Sequence, residues 1–133
     1  MTFSPAAADT IKQFLTDTGT VPNDYDMILT GDLGAIGSNV LCDLLSMDNI
    51  DIKDVHADCG TNIFFSQKQG VCSGGSGCGC SASVLCSRIF KNMEEGHLRK
   101  VLFCATGSLH SPTSVLQNQS IPGIAHLVFL ETI

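Results

Sequence analysis

Residues 74–80 read Gly74-Gly75-Ser76-Gly77-Cys78-Gly79-Cys80, with four glycines in six residues, and lead straight into an apolar helical pattern at Ser81. Glycine reaches φ > 0 and lets a ligand or a second backbone come close. A helix that opens after such a loop presents free N–H groups and the positive end of its dipole. That arrangement suits a carboxylate, a phosphate or an oxyanion. Two readings stand together. In one, Gly75, Ser76, Gly77 and Cys78 touch an anionic ligand. In the other, the glycines let a helix start pack against another backbone. The loop is not a P-loop, because no Lys-Ser or Lys-Thr closes it. It is not a dinucleotide fingerprint either, since Cys80 stands where the third glycine belongs.

Two further segments sit where chemistry is expected. Thr30-Gly31-Asp32-Leu33-Gly34 follows a short apolar run, and α/β proteins place ligands at the C-terminal ends of parallel strands. Asp32 is a ligand contact there, or a turn or helix-capping carboxylate, which is the commoner role. Ala105-Thr106-Gly107-Ser108 ends a second apolar run, making Thr106 and Gly107 candidates of the same kind. His56-Ala57-Asp58-Cys59 and Cys78-Gly79-Cys80 contain zinc-ligand types without the regular pairing of a tetrahedral site. Buried free thiols account for these cysteines more simply. Cys59 or Cys78 as a nucleophile would need an assigned base, and none follows from the spacing. His126 reads as a hydrogen-bonded core residue at a strand start.

The elements that must carry these segments follow from periodicity. Ser4-Pro5 reads as an N-cap with proline in the first helical position, opening a helix over 6–15 that Gly19 ends. A short strand covers 25–29, and a helix runs from Ser38 to Met47 with Val40, Leu41, Leu44 and Leu45 apolar. Residues 55–65 have room for a short strand, and 66–79 read as loop. A third helix spans 81–93, with Val84, Leu85, Ile89 and Met93 on its apolar face, Arg88 turned to solvent and Gly96 as its C-terminal glycine. Strands follow at 100–105 and 124–130, separated by a polar loop over 106–119. The order implies an α/β fold with a mostly parallel sheet and an antiparallel last strand. Three amphipathic helices over so few strands imply that a sheet face or edge is missing.

Composition narrows the function classes. At 133 residues and 44% hydrophobic, residues 1–133 suit one domain with a real core. A net charge of −6, with scattered basic residues, argues against nucleic-acid binding. Only 15% of residues are charged, which suggests that part of the surface is covered. No apolar run approaches the ~20 residues of a membrane span. The first nine residues show no signal-peptide pattern. Seven cysteines, an odd number in no regular framework, read as reduced thiols of an intracellular protein.

Six segments carry a resemblance. They are Pro5-Ala6-Ala7-Ala8-Asp9-Thr10-Ile11, Tyr25-Asp26-Met27-Ile28-Leu29-Thr30-Gly31-Asp32-Leu33, Asp58-Cys59-Gly60, Gly74-Gly75-Ser76-Gly77-Cys78, Ala105-Thr106-Gly107 and Ser120-Ile121-Pro122-Gly123-Ile124-Ala125-His126. In order and spacing they resemble the stage V sporulation protein AD family, from about Pro5 to Glu131. The resemblance implies one half of a thiolase-like fold, the carboxy-terminal half. It implies a mixed, mostly parallel sheet with helices on both faces, lacking the first strand, which in such sheets lies in the middle. It implies binding of dipicolinic acid, with calcium as a possible companion, in uptake into the forespore and release in germination. It places the glycine loop and Ala105-Thr106-Gly107 beside the ligand pocket. His110 stands where the family usually has an apolar residue. Implied partners are an amino-terminal half or a second copy, and the other stage V sporulation A proteins of the spore inner membrane, on which the chain would sit peripherally. Condensing enzymes of the thiolase superfamily often carry a histidine near Thr30-Gly31-Asp32 and an asparagine near the glycine loop. This sequence has neither there, which points away from catalysis. An acyl-transfer half acting on thioesters and a purely structural docking subunit remain as alternatives.

Overall fold

The computed structural model describes residues 3–63, 66–108 and 110–133. Residues 64 and 65 of the expected strand segment, and 109 of the expected loop, lie outside them. The order is α1 (Phe3–Thr18), β1 (Met27–Thr30), α2 (Gly34–Met47), β2 (His56–Asp58), α3 (Cys59–Ile63), α4 (Ser66–Gln69), α5 (Cys80–Val84), a π turn (Leu85–Ile89), α6 (Phe90–Glu94), β3 (Lys100–Ser108), α7 (Pro112–Leu116) and β4 (Gly123–Glu131). One four-stranded sheet has the order β2-β1-β3-β4. β1 is parallel to β2 and β3, and β3 is antiparallel to β4. The fold is thus α/β with a mixed, mostly parallel sheet. β1 pairs directly with β3, Met27 opposite Val101 and Thr30 opposite Cys104, with no strand between them.

Side-chain alternation splits the core in two. Ile28, Leu102 and Cys104 meet α1 and α2 through Ala7, Ile11, Leu41 and Leu45 on one face. Leu29 and Val101 meet Cys80, Val84, Ile89 and Met93 on the other. Full burial of a residue such as Ile28 contributes about 1.5–3 kcal/mol. Residues 80–94 run through α5, the π turn and α6. The π turn explains the spacing of the buried positions Cys80, Val84, Ile89 and Met93. The step from Val84 to Ile89 is one residue longer than a helical repeat, and the wider turn keeps Ile89 over the sheet.

Several boundaries move for local reasons. Ser4 does not cap α1: it is buried in the first turn and its Oγ donates to the Gly37 carbonyl at 2.9 Å, joining α1 to α2. α2 starts four residues before Ser38, because Asp58 accepts the Leu33 and Gly34 N–H groups at its start. The loop expected over 66–79 holds the short α4. β3 runs past Ala105 to Ser108, paired with Gly123–His126 of β4, and Pro112 opens α7 inside the expected polar loop. Gly19 (φ +63°) and Gly96 (φ +78°) end their helices in the left-handed region as expected.

The β4 face on the 80–94 side is only partly covered. Ile124 and Val128 are 52% and 50% exposed. His126 shares that alternation and is exposed, so its expected core role is corrected. A single helix is too narrow to reach the outermost strand.

Asp26 fastens the start of β3 to the start of β1. Its Oδ2 accepts N–H bonds from Arg99 at 2.8 Å and Lys100 at 3.0 Å. The Lys100 amide, then the Arg99 amide, hold its pKa below 3.8. That stability is fully present above 3.8 and is lost as the pH falls through the lower folded value. The carboxylate is exposed, so the effect is small. Thermal melts of the chain and of Asp26→Asn from about pH 6 to about pH 2.5 should differ at the upper end and converge at the lower. A difference independent of pH would refute the linkage.

Candidate functional site

The C-terminal ends of β1, β2 and β3 lie at one edge of the sheet, where their parallel direction gathers the loops that follow. A cavity of about 780 Å³ opens there. Asp32, Ser76, Gly77, Cys78, Thr106 and Gly107 all line it. Six of the seven expected residues are thus brought together from three segments far apart in the chain. Gly75 is the exception. Its N–H donates to the Gly60 carbonyl at 2.7 Å, and its own carbonyl lies 2.5 Å from where a Cβ on Gly60 would be. Gly75 and Gly74 therefore serve backbone packing, while Ser76, Gly77 and Cys78 face the cavity. The packing reading thus holds for Gly74 and Gly75, and Ser76, Gly77 and Cys78 are the loop residues left open to the cavity.

Asp32 reaches across to the glycine loop. Ser76 Oγ donates to Asp32 Oδ2 at 2.6 Å, and the Gly77 N–H reaches the same oxygen at 3.3 Å. The capping role considered for Asp32 belongs to Asp58 instead. Asp58 is 2% exposed, at the end of β2. Its Oδ1 accepts Thr30 Oγ1 at 2.6 Å and Leu33 N–H at 3.0 Å, while its Oδ2 accepts Gly34 N–H at 3.0 Å and Thr61 N–H at 3.3 Å. One buried carboxylate thus fixes the loop that carries Asp32. Thr30 spends its single proton on Asp58, so His56 Nε2, 3.1 Å from Thr30 Oγ1, is the donor in that pair. Burial first holds the His56 pKa below 6.5, against the attraction of Asp58.

The floor adds Ser81 and Phe103, which were not among the expected site residues, and Ser108 at the end of the Ala105-Thr106-Gly107-Ser108 segment. Ser81 Oγ and Thr106 Oγ1 both crowd Gly31, at 3.0 Å and 3.4 Å from the position of a Cβ there. Ser108 Oγ and His110 Nε2 are 2.7 Å apart. Ser108 closes the Ala105-Thr106-Gly107-Ser108 segment, and His110 is the residue that departs from the family pattern. Asp32 is the one Asp, Glu, Lys or Arg among the described residues lining the cavity.

The thiols divide by burial. All seven cysteines are free. Cys59 and Cys104 are pushed up to about 12, both chiefly by burial, with the Asp58 charge adding at Cys59. Cys78 is exposed in the cavity wall, and Cys72 and Cys86 are exposed as well. Among the described residues no three His, Cys, Asp or Glu side chains converge as metal ligands. Brief alkylation with iodoacetamide at about pH 8 should label Cys72, Cys78 and Cys86, and leave Cys59 and Cys104 unmodified until the chain unfolds, because the thiolate is the reacting form. Mass spectrometry of the digested protein reads this out. Early labelling of Cys59 would contradict its burial.

The family model of stage V sporulation protein AD matches residues 1–131. The chain belongs to that family. The stage V sporulation protein AD of Bacillus subtilis (strain 168) is 49% identical over 128 residues, covering 96% of this chain and 38% of its relative. The chain thus spans well under half the length of the relative it matches. Membership makes it a sporulation protein by kinship. The matched range takes in β1, the glycine loop and β4, so every residue lining the cavity lies inside the family region. Among the described residues no helix is long and apolar enough to cross a membrane.

Proposed function

We propose that this chain is a non-enzymatic binding component for dipicolinic acid, acting in its uptake during sporulation and its release in germination. The supporting observation is the cavity at the sheet edge, in a chain of the stage V sporulation protein AD family, lined by residues from three distant segments. Its walls suit a small planar acid. Phe103, Leu85 and Ala105 give apolar surface, and Thr106, Ser108 and the loop backbone give hydrogen-bonding groups.

Charge decides the form of the ligand. Asp32 repels a bare dianion, and the Ser76 hydroxyl proton is already committed to Asp32. A calcium-neutralised acid removes that repulsion and offers Asp32 a cation, since calcium takes carboxylate and carbonyl oxygens. The remaining donors would come from an amino-terminal half or a second copy, docked on the uncovered face of β4. Peripheral attachment to the inner spore membrane, through the other stage V sporulation A proteins, completes the reading.

Calorimetric titration with dipicolinate, with and without Ca²⁺, tests it on this chain alone and mixed with an amino-terminal half. Saturable binding that strengthens with Ca²⁺ and is abolished by Ser76→Trp is expected. Binding absent from both samples, each shown to be folded, overturns it. An acyl thioester is the second ligand to try, because Cys78 and His110 line the same cavity. Binding of acyl-coenzyme A but not dipicolinate would favour the acyl-transfer alternative.

A further inference from the structure

A second, smaller cavity of about 290 Å³ lies away from the glycine loop, between the π turn, α6 and the 97–98 turn on one side and β1, β2 and α3 on the other. Its volume sits near the lower edge of the ~300–1,000 Å³ range of small-molecule sites. The floor is apolar: Met27, Ala57, Ile89 and Leu98. The rim is polar and carries one fixed positive charge, Arg88, opposite in sign to the Asp32 of the first cavity, with His97 and the amides of Asn62 and Asn92 beside it.

The rim is held in place. Arg88 Nη1 donates to Asn62 Oδ1 at 3.2 Å, which orients the guanidinium and leaves its other N–H groups for a ligand. The Asn92 carbonyl accepts the N–H groups of His97 at 2.9 Å and Leu98 at 3.2 Å, so the end of α6 folds His97 back beside Asn92. The π turn spans Leu85–Ile89 and so carries both the floor residue Ile89 and the rim residue Arg88. Such turns recur at functional sites. One acidic group opposes: Glu95 Oε2 lies 3.5 Å from His97 Nδ1.

We infer that this groove binds a small aromatic monocarboxylate. The ring lies on the apolar floor, and the carboxylate meets the Arg88 fork with amide support from Asn92, while Asn62, whose Nδ2 donates to the Asp58 carbonyl at 2.8 Å, holds the guanidinium in place. Guanidinium recognises planar carboxylates by paired charge-assisted bonds. The site is separate from the glycine loop and stands or falls independently of the dipicolinate reading.

Sodium benzoate is the probe, followed by amide chemical shifts of the isotope-labelled chain. Saturable, millimolar binding is expected, with shifts centred on Arg88, Asn92 and Leu98 and none at Thr106 or Gly107. Arg88→Gln should weaken it on the order of tenfold. Lys91→Gln removes a charge from the same helix and should leave affinity within about twofold. Benzamide, the neutral isostere, should bind at least tenfold more weakly. Equal binding of benzamide, unchanged affinity in a folded Arg88→Gln, shifts centred on the glycine loop, or no saturation would each overturn the assignment.

Discussion

Asp58→Ala should lower the unfolding free energy by about 3–5 kcal/mol, the largest single-residue loss outside the apolar core. The substitution strips the acceptor from four donors at once: the Thr30 hydroxyl and the Leu33, Gly34 and Thr61 amides. Thr30 and Gly34 are buried in the angle between β1, β2 and α2, where an unmade hydrogen bond is not replaced by water, and Leu33 is half-buried beside them. Asp58→Asn keeps the shape but turns one acceptor into a donor facing donors, so it should recover only part of the loss. Thr30→Val removes one partner and should cost about 1–2 kcal/mol. Urea denaturation of the three variants ranks them. A loss below about 1 kcal/mol in Asp58→Ala would mean the loop holds without its carboxylate. Because the same oxygens position Asp32, weakened ligand binding at the first cavity should accompany any variant that still folds.

The second large effect concerns two glycines where loops cross. A Cβ on Gly60 would stand 2.5 Å from the Gly75 carbonyl oxygen. A Cβ on Gly74 would meet the Gly60 carbonyl, and Gly74 also holds φ at +107°. Neither backbone can move without breaking the Gly75 N–H bond to Gly60. Gly60→Ala and Gly74→Ala should each cost about 2–4 kcal/mol and open the first cavity. Gly79 is the internal control: nothing lies within 4 Å of its Cβ position, and no positive φ constrains it. Gly79→Ala should stay within about 0.5 kcal/mol of the parent. Gly77 (φ +123°) also faces open space, so its alanine variant isolates backbone strain, about 1–2 kcal/mol. Equal melting temperatures for Gly60→Ala and Gly79→Ala would remove the crowding argument.

What the sequence made legible was the periodic part. The apolar stripes of α1, α2 and residues 80–94, and the runs of β1, β3 and β4, were readable because one face of each meets a core. Left-handed glycines at 19 and 96 were readable because nothing else fits so cheaply there. The cavity could be approached through position alone, since strand ends followed by glycine gather ligand loops in α/β sheets. What escaped were roles fixed by distant partners. Asp58 looks like any polar residue beside a cysteine, and only the tertiary fold reveals it under the start of α2. Ser4 had the right type and place for a cap, yet Gly37 lies close enough to take its hydroxyl. His126 failed for a related reason: alternation shows which side a residue faces, but not whether anything covers that side. The direct β1–β3 pairing was equally out of reach, because strand order is not written in local pattern.

The pairing of β1 with β3 also sets a timetable. Thr10 in the first helix donates to the Ala125 carbonyl across 115 residues of chain, and Met27 waits for Val101. During synthesis at ~5–20 residues per second, the apolar stripe of Ala7, Ile11 and Leu15 therefore emerges roughly 5–20 s before its sheet exists. Contacts so remote in sequence also slow the closing step itself. Throughout that interval the nascent chain is a sticky helical pair without a floor, and its yield in a cell depends on what shields those helices until the final hairpin arrives.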